Sequence, residues 1–289
     1  MEKKEVQQGA GAPLLEVRNV STWYPIKTGI LARTTGWVKA VNNVDLDIGE
    51  GETVCVVGES GCGKSTLART ILKLEKPREG TIKVYGKDVL KLSGQELKDY
   101  RRAVQVVFQD PMASLNPRMT ILETLTEGAL AHGLVDRENL RSFAAGLLKE
   151  VDLEEGFLDR YPHEFSGGQR QRICVARALA LKPKLLICDE AVTALDVVVR
   201  AKILELLMDL QRKRGLSYLF ITHDIGVVRR IATRVVVMYK GRVVETGPVS
   251  EVLDNPKAAY TKYLLRSVPV IGKPLPEETD RDFDEKLEQ

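Results

Sequence analysis

Residues 53–74 read TVCVVGESGCGKSTLARTILKL, and this segment decides which fold we expect. The first five residues form an apolar, β-branched run that is typical of a buried parallel strand. Residues 66–74 have helical spacing and contain no helix breaker. A glycine-rich loop therefore connects a predicted strand to a predicted helix, which is the context in which such a loop binds phosphate groups.

The loop fits the pattern G-x-x-x-x-G-K-[ST], which predicts a cradle for nucleotide phosphates. Glycines allow the backbone to curl so that successive N–H groups point toward one anion. We expect Lys64 to contact the β- and γ-phosphates and the Ser65 hydroxyl to bind Mg²⁺. The nucleotide-binding residues predicted here are Gly58, Ser60, Gly61, Gly63, Lys64, Ser65 and Thr66.

The composition restricts the class of protein. The chain has 289 residues and a formal net charge of +3, and its basic residues are dispersed, so we expect no nucleic-acid partner. No apolar run approaches the roughly 20 residues of a membrane-spanning helix. The first residues lack the apolar core of a signal peptide. These features predict a cytoplasmic protein that reaches a membrane only through a partner.

Alternating patterns along the chain predict a parallel α/β sheet. Residues 14–48 have the pattern of antiparallel strands with a loop at 25–37, and residues 110–180 have the pattern of an inserted helical subdomain. The other predicted strands are 53–57, 104–108, 184–188, 217–222 and 234–238. The predicted helices are 64–74, 95–102, 120–131, 139–151, 168–180, 197–213 and 225–231. An apolar helix face that includes Leu204, Leu207 and Leu210 favours core packing over partner binding.

Two acids follow a predicted buried strand at Asp189 and Glu190, where the carboxyl ends of parallel strands form the ligand-binding edge. We expect Asp189 to hold Mg²⁺, and Glu190 to accept a proton from, or orient, the water that attacks the γ-phosphate. His223 follows another predicted strand and could contact the γ-phosphate at the same edge. Gln109 follows a third strand and is a further candidate for binding the metal or the water.

The segment Ser166-Gly167-Gly168-Gln169 (the signature segment) completes a pattern that resembles the ATP-binding subunits of ABC transporters over roughly residues 14–270. The resemblance implies an α/β fold: a P-loop (RecA-like) parallel sheet core with an antiparallel β subdomain and an inserted helical subdomain, the ABC ATPase fold. We expect a flexible tail at 1–13 and an ATP-binding domain at 14–250. We expect a C-terminal extension of the peptide-importer type, with an acidic tail, at 251–289.

The resemblance also assigns roles to residues. The signature segment of one subunit would cap the γ-phosphate held by the glycine loop of another, which implies a head-to-tail dimer with two shared ATP sites. Gln109 matches the Q-loop, Ala194-Leu195-Asp196 matches the D-loop, and His223 matches the switch histidine. Tyr24 looks like the aromatic residue that stacks on adenine, with the adjacent Trp23 as the alternative.

Further segments are similar to oligopeptide and dipeptide importers: residues 108–118, residues 36–41, and residues 255–257 with the following 260–262 and 268–269. No cysteine follows Cys188, so we expect no C-terminal iron–sulfur cluster of the kind that some subunits of that branch carry. The resemblance implies a heterodimer with a second ABC ATPase, favoured over a homodimer, and two transmembrane permease subunits. It also implies an indirect link to an extracytoplasmic solute-binding protein, with the chain peripheral on the cytoplasmic face of the inner membrane.

Two functions remain open on the residues alone. The first is an ATP-hydrolysing, energy-coupling subunit of an importer for oligopeptides or dipeptides, with oligosaccharides and nickel as other cargoes of the branch. The second is an ABC ATPase of a soluble, non-transport complex, such as a phosphonate-processing assembly. The identity of the proteins that copurify with this chain discriminates between the two.

Overall fold

The computed structural model describes residues 12–29, 33–193 and 195–267, and two sheets organise this part of the chain. Its strands are β1 (Leu15–Thr28), β2 (Arg33–Ile48), β3 (Thr53–Val57), β4 (Glu79–Val84), β5 (Lys87–Asp88), β6 (Val104–Val107), β7 (Leu185–Asp189), β8 (Ser217–Ile221), β9 (Arg234–Tyr239) and β10 (Arg242–Pro248). Its α-helices are α1 (Lys64–Ile71), α2 (Gly94–Ala103), α3 (Pro111–Ser114), α4 (Ile121–Ala131), α5 (Leu140–Glu150), α6 (Gly167–Leu179), α7 (Val197–Arg214), α8 (Ile225–Ile231), α9 (Val249–Asp254) and α10 (Ala259–Arg266).

The larger sheet has the strand order β10-β9-β3-β8-β7-β6. Its pairs from β9 to β6 are parallel, whereas β10 is antiparallel to β9. Every residue of β3, β7 and β8 is buried, because a parallel sheet is covered on both faces. The five strands predicted from apolar runs are confirmed to within one residue at each end.

The smaller sheet is antiparallel, with the order β2-β1-β4-β5. One prediction from the sequence is wrong in this region. The loop predicted at 25–37 is wrong, because Pro25 pairs with Trp37 and Thr28 pairs with Arg33, so β1 and β2 continue as one long hairpin. Threonine, valine and aromatic residues in this stretch favour extended pairing. Gly29, with φ +74°, lies at the point where β1 ends.

Two cores form because successive residues of a strand face opposite sides of the sheet. Cys55 and Val57 pack into the core shared with α4 to α8, whereas Val54 and Val56 pack into the core shared with α1 and the smaller sheet. The helix face of Leu204, Leu207 and Leu210 is buried in the first core, which confirms the core-packing interpretation. The glycine-containing segment between β3 and α1 thus emerges from a strand that is held on both faces.

Helices α3 to α6 form a run between β6 and β7, at the place where the sequence predicts a helical insertion. The structure adds α9 and α10 after β10, which were not predicted. Residues 1–11 of the predicted tail and residues 268–289 of the predicted extension lie outside the described residues. None of the helices in the described part of the chain combines the length and the apolar character that a membrane span requires.

Candidate nucleotide-binding site

The loop between β3 and α1 (residues 58–63, the glycine loop) is tightly supported from one side. A Cβ atom at Gly63, which has φ +108°, would lie 1.9 Å from the carbonyl oxygen of Ala40. A Cβ atom at Gly58 would lie 2.2 Å from the carbonyl oxygen of Met238. By contrast, a Cβ atom at Gly61 would have nothing within 4 Å. The backbones of β2 and β9 therefore require glycine at two positions, and the loop is open at a third.

Lys64 begins α1, and its side chain folds back into the glycine loop. Its Nζ donates hydrogen bonds to the carbonyl oxygens of Gly58, at 2.8 Å, and Glu59, at 2.7 Å. The residue is only 3% exposed. A buried ammonium group needs such acceptors, because it has lost its hydration. The result is a positive charge held inside the loop at the N-terminus of a helix, where anions are stabilised.

Ser65 and Asp189 meet across the edge of the larger sheet. The Ser65 hydroxyl donates a hydrogen bond of 2.9 Å to Oδ1 of Asp189, which ends β7 and is 7% exposed. Burial raises the pKa of the Asp189 carboxyl, although the hydrogen bond from Ser65 and the charges of Arg69 and Lys64 oppose this shift. Hydroxyl and carboxylate oxygens are the donors that Mg²⁺ prefers, so this pair fits the metal predicted here.

Glu190 and His223 also come together at this edge. Oε1 of Glu190 lies 3.5 Å from Nδ1 of His223, and the Glu190 N–H donates to the carbonyl oxygen of Ile221 at the end of β8. Glu190 has φ +49°, a left-handed conformation that is uncommon for a residue other than glycine and that clusters at functional sites. The His223 side chain is 53% exposed, so it faces the space in front of the sheet.

Gln109 lies at the same edge of the sheet, but it makes fewer contacts with the other predicted site residues. It lies two residues beyond β6, which pairs with β7 through Val107 and Cys188, and it is exposed. Among the described residues, no hydrogen bond joins Gln109 to Ser65, Asp189 or Glu190. Its role with the metal or the water therefore stays a prediction.

The signature segment lies at the beginning of α6. Ser166 caps the helix: its Oγ accepts from the N–H of Gln169 at 3.3 Å, and the Gln169 side chain accepts from the N–H of Ser166 at 3.0 Å. A Cβ atom at Gly168 would lie 2.5 Å from Cγ1 of Val199, so α6 and α7 approach each other closely here. Ser166 and Gly167 are exposed, and within the described ranges no hydrogen bond or ion pair links this segment to the glycine loop.

Arg200 is a contact residue that the sequence analysis missed. Its guanidinium forms an ion pair with Asp224 and donates to the carbonyl oxygens of Thr193, at 3.3 Å, and Leu195, at 3.0 Å. Asp224 directly follows His223 and caps α8. The side chain therefore joins the predicted D-loop to the residue that follows the predicted switch histidine. In the sequence, only the position of Arg200 one turn after the cap of α7 could have indicated this contact.

The remaining D-loop residue, Asp196, acts as the N-cap of α7 by accepting from the N–H of Val199 at 2.9 Å. Asp196 is exposed at the surface. Ala194, also part of the predicted D-loop, lies outside the described residues.

The two candidates for adenine stacking differ in their surroundings. The Trp23 ring lies 4.8 Å from Nζ of Lys39 and 4.5 Å from the Arg78 guanidinium, so cations already cover it. The Thr22 hydroxyl lies 2.9 Å from that of Thr70 on α1. Tyr24 is half-buried and pairs with Val38 of β2.

Gly63→Ala tests how rigidly the glycine loop is held. We expect it to lower the free energy of unfolding by more than about 3 kcal/mol, because backbone strain adds to the clash with Ala40. Gly61→Ala, at φ +84° in open space, should cost only about 1–2 kcal/mol of backbone strain. Urea unfolding of both variants measures the difference, and equal losses would contradict the close packing of β2 on the loop.

Comparison with known proteins agrees with these observations. Residues 41–193 match the family model described as ABC transporter, and residues 244–285 match the model described as oligopeptide/dipeptide transporter, C-terminal region. The glutathione import ATP-binding protein GsiA of Pectobacterium atrosepticum is 49% identical over 258 residues, covering 89% of this chain and 41% of the relative. GsiA of Escherichia coli is 51% identical over 260 residues, covering 90% and 42%. The chain thus spans about two fifths of the length of these curated relatives.

Solved structures give the same likeness. The dimeric, post-hydrolysis structure of the ATP-binding cassette MJ0796 bound to ADP and Pi has a TM-score of 0.71 and 34% identity, and the match covers 81% of this chain and 98% of that one. The structure of cbiO1 from Clostridium perfringens, part of the transporter complex cbiONQ, has a TM-score of 0.71 and 28% identity, covering 84% and 91%.

Proposed function

Because the chain belongs to the ABC transporter family, we propose that it is the ATP-hydrolysing, energy-coupling subunit of an importer for peptide-like solutes. The solved relatives confirm the predicted ABC ATPase fold. The match of residues 244–285 to the oligopeptide/dipeptide C-terminal model supports the peptide branch, as do the relatives named for glutathione import. The cargo class that we propose is therefore small peptides and peptide-like molecules.

The glycine loop and Lys64 hold the nucleotide phosphates in this proposal. The open side of the loop at Gly61 accepts the phosphates, and the backbone N–H groups from Ser60 to Thr66 donate to them. Two of the three N–H donors of the Lys64 ammonium hold it to the Gly58 and Glu59 carbonyl oxygens, and the third is directed at the phosphate oxygens, which keeps the buried charge compensated. Tyr24 stacks on the adenine ring, because the face of Trp23 is occupied by cations.

The residues at the edge of the larger sheet carry out hydrolysis. Ser65 and Asp189 hold Mg²⁺, with Gln109 as a further ligand or a contact to the water. The ion, when bound, neutralises charge on the phosphates. Glu190 accepts a proton from the attacking water or orients it, and His223, whose ring adjoins that carboxylate, contacts the γ-phosphate. The pairing of Ser65 with Asp189 beside Glu190 and His223 is the observation that carries the proposed ATPase activity.

A second ATPase subunit completes the site. The signature segment (Ser166, Gly167, Gly168 and Gln169), whose first two residues are exposed, begins a helix whose N-terminus favours an anion. It has no hydrogen bond to the glycine loop within the described part of this chain. Val197 is 78% exposed beside the exposed Asp196, which supports a partner surface at the D-loop. We propose a head-to-tail dimer, and a heterodimer in preference to a homodimer.

The membrane partners are two permease subunits, which an extracytoplasmic solute-binding protein supplies with cargo, and the chain is peripheral on the cytoplasmic face of the inner membrane. Residues 110–125 follow the predicted Q-loop and include Met112, an exposed apolar side chain on α3. This segment is where we place the contact with the permease. It would carry the motion of the ATPase to the membrane.

Purification of the native complex in mild detergent, followed by mass spectrometry, tests the proposal. Two polytopic membrane proteins and a second ATPase should copurify with the chain. Met112→Glu should release the membrane proteins, whereas Leu74→Glu, at another exposed apolar residue, should retain them. Soluble enzymes without membrane subunits would overturn the import function and favour an ATPase of a soluble complex.

A further inference from the structure

Helix α10 reaches the glycine loop, although it lies about 200 residues further along the chain. The backbone N–H of Glu59 donates a hydrogen bond of 3.2 Å to the hydroxyl of Tyr260, across a separation of 201 residues. Tyr260 is 3% exposed, so water competes little for this bond. The residue belongs to the segment 244–285 that matches the oligopeptide/dipeptide C-terminal model, and the proposed function gives this segment no task.

The same loop residue is held from its other end by Lys64. The carbonyl oxygen of Glu59 accepts from Nζ of Lys64 at 2.7 Å, while the N–H of Glu59 donates to Tyr260. Displacement of Glu59 would therefore also displace an acceptor that orients the lysine. A single residue, Glu59, thus connects Tyr260 to the Lys64 ammonium, which contacts the phosphates in the proposed function.

Ring packing and an anchor at the start of α10 help to hold Tyr260 in place. Its ring packs against Tyr239 at the end of β9, with 4.3 Å between the ring centroids. The Glu245 carboxylate on β10 accepts from the N–H groups of Lys257, at 2.8 Å, and Ala258, at 3.0 Å, which anchors the start of α10. Burial raises the pKa of Tyr260, and the oxygen of its neutral hydroxyl has lone pairs that accept from the Glu59 N–H.

The turn between β9 and β10 supports the loop next to this contact. The N–H of Gly241 donates to the carbonyl oxygen of Cys62 at 2.9 Å. Backbone from the β9–β10 turn and a side chain from α10 therefore each bond to a residue of the glycine loop. The C-terminal segment and the loop form one hydrogen-bonded unit.

We propose that Tyr260 is a positioning residue for nucleotide binding, which holds the glycine loop and Lys64 through Glu59 in the conformation that the phosphates require. The C-terminal segment from Glu245 to Tyr260 is then a support of the ATP site. This inference rests on the proposed binding of ATP. It deepens that function by giving the C-terminal segment a role in nucleotide affinity.

Tyr260→Phe in the full chain tests the inference, because phenylalanine keeps the ring on Tyr239 and loses the hydroxyl. We expect ATP and ADP to bind about three- to tenfold more weakly, the scale of one hydrogen bond, by isothermal titration calorimetry. KM for ATP should rise with kcat retained at saturating ATP. Tyr218→Phe is the matched control, because its buried hydroxyl donates to the Leu207 carbonyl at 2.8 Å, away from the loop.

A second variant separates positioning from general stability. Glu245→Ala removes the anchor of α10, and we expect a smaller loss of ATP affinity in the same direction. The double variant should lose no more affinity than Tyr260→Phe alone, because both residues act through one contact. Additive losses, or equal losses in Tyr260→Phe and Tyr218→Phe, would overturn the inference.

The outcome also distinguishes this inference from the proposed function. If the unaltered chain binds ATP and Tyr260→Phe binds it equally well, the proposed role of Tyr260 is overturned and the proposed function is not. Failure of the unaltered chain to bind ATP would overturn the proposed function on which the inference rests.

Discussion

We expect Glu190→Gln to bind ATP like the unaltered chain and to hydrolyse it roughly 10²–10⁴-fold more slowly, the usual effect of losing a general base. Glutamine keeps the size of the side chain and can still accept a hydrogen bond, but it cannot take a proton from water. The change leaves the Glu190 N–H on the carbonyl oxygen of Ile221, so the left-handed backbone beside Asp189 is retained. The substitution should therefore lower the rate of ATP hydrolysis and leave the affinity for ATP unchanged.

Phosphate release in the purified complex and titration with ATP measure the two quantities. Glu205→Gln is the matched control, because this exposed glutamate pairs with Arg230 on the protein surface and lies outside the proposed site. Unchanged turnover in Glu190→Gln would show that Glu190 is not the base. A parallel loss of ATP affinity would show that the residue holds the loop rather than the water.

Lys64→Ala should have the second large effect, a loss of ATP affinity of roughly 30- to 1000-fold, since it truncates one partner of a buried charged contact. The ammonium group carries the positive charge inside the glycine loop. Its removal also takes one hydrogen-bond donor from each of the carbonyl oxygens of Gly58 and Glu59. Both consequences weaken the binding of phosphate groups.

Calorimetric titration with ATP and ADP measures this loss. Lys73→Ala serves as the control, because Nζ of Lys73 donates to the Leu92 carbonyl at 2.8 Å just beyond the other end of α1. The control removes one lysine near the same helix without altering the glycine loop. ATP affinity that is unaffected in Lys64→Ala would count against the cradle that we propose.

Fully buried parallel strands were predictable because each is a local, continuous apolar run. This holds for β3, β7 and β8, in which every residue is buried. The smaller sheet was harder to predict: β4 contains a glycine and charged residues, and only Ile82 and Val84 in it are buried. Its pairing with β1 joins residues that are distant in the chain, such as Leu15 and Val84.

In the candidate site, too, local motifs were predictable from the sequence and long-range contacts were not. The sequence predicted Ser65, Asp189, Glu190 and His223, and the structure brings them together in two contacts at one edge of the sheet. Their roles remain proposals. The sequence did not indicate Arg200, because an arginine within a helix has no motif of its own.

By itself, the sequence determined the family, the parallel core and the positions of the phosphate and acid motifs. These depend on local features: apolar runs, glycines where side chains do not fit, and acids that follow a strand. Only the tertiary structure decided that β1 and β2 form a long hairpin and that Arg200 pairs with Asp224. It alone also placed Tyr260 on the glycine loop. The contacts of Arg200 and Tyr260 join groups distant in the chain, so they depend on how whole elements pack. The hairpin is local, but its length depends on the pairing of two strands along their whole extent.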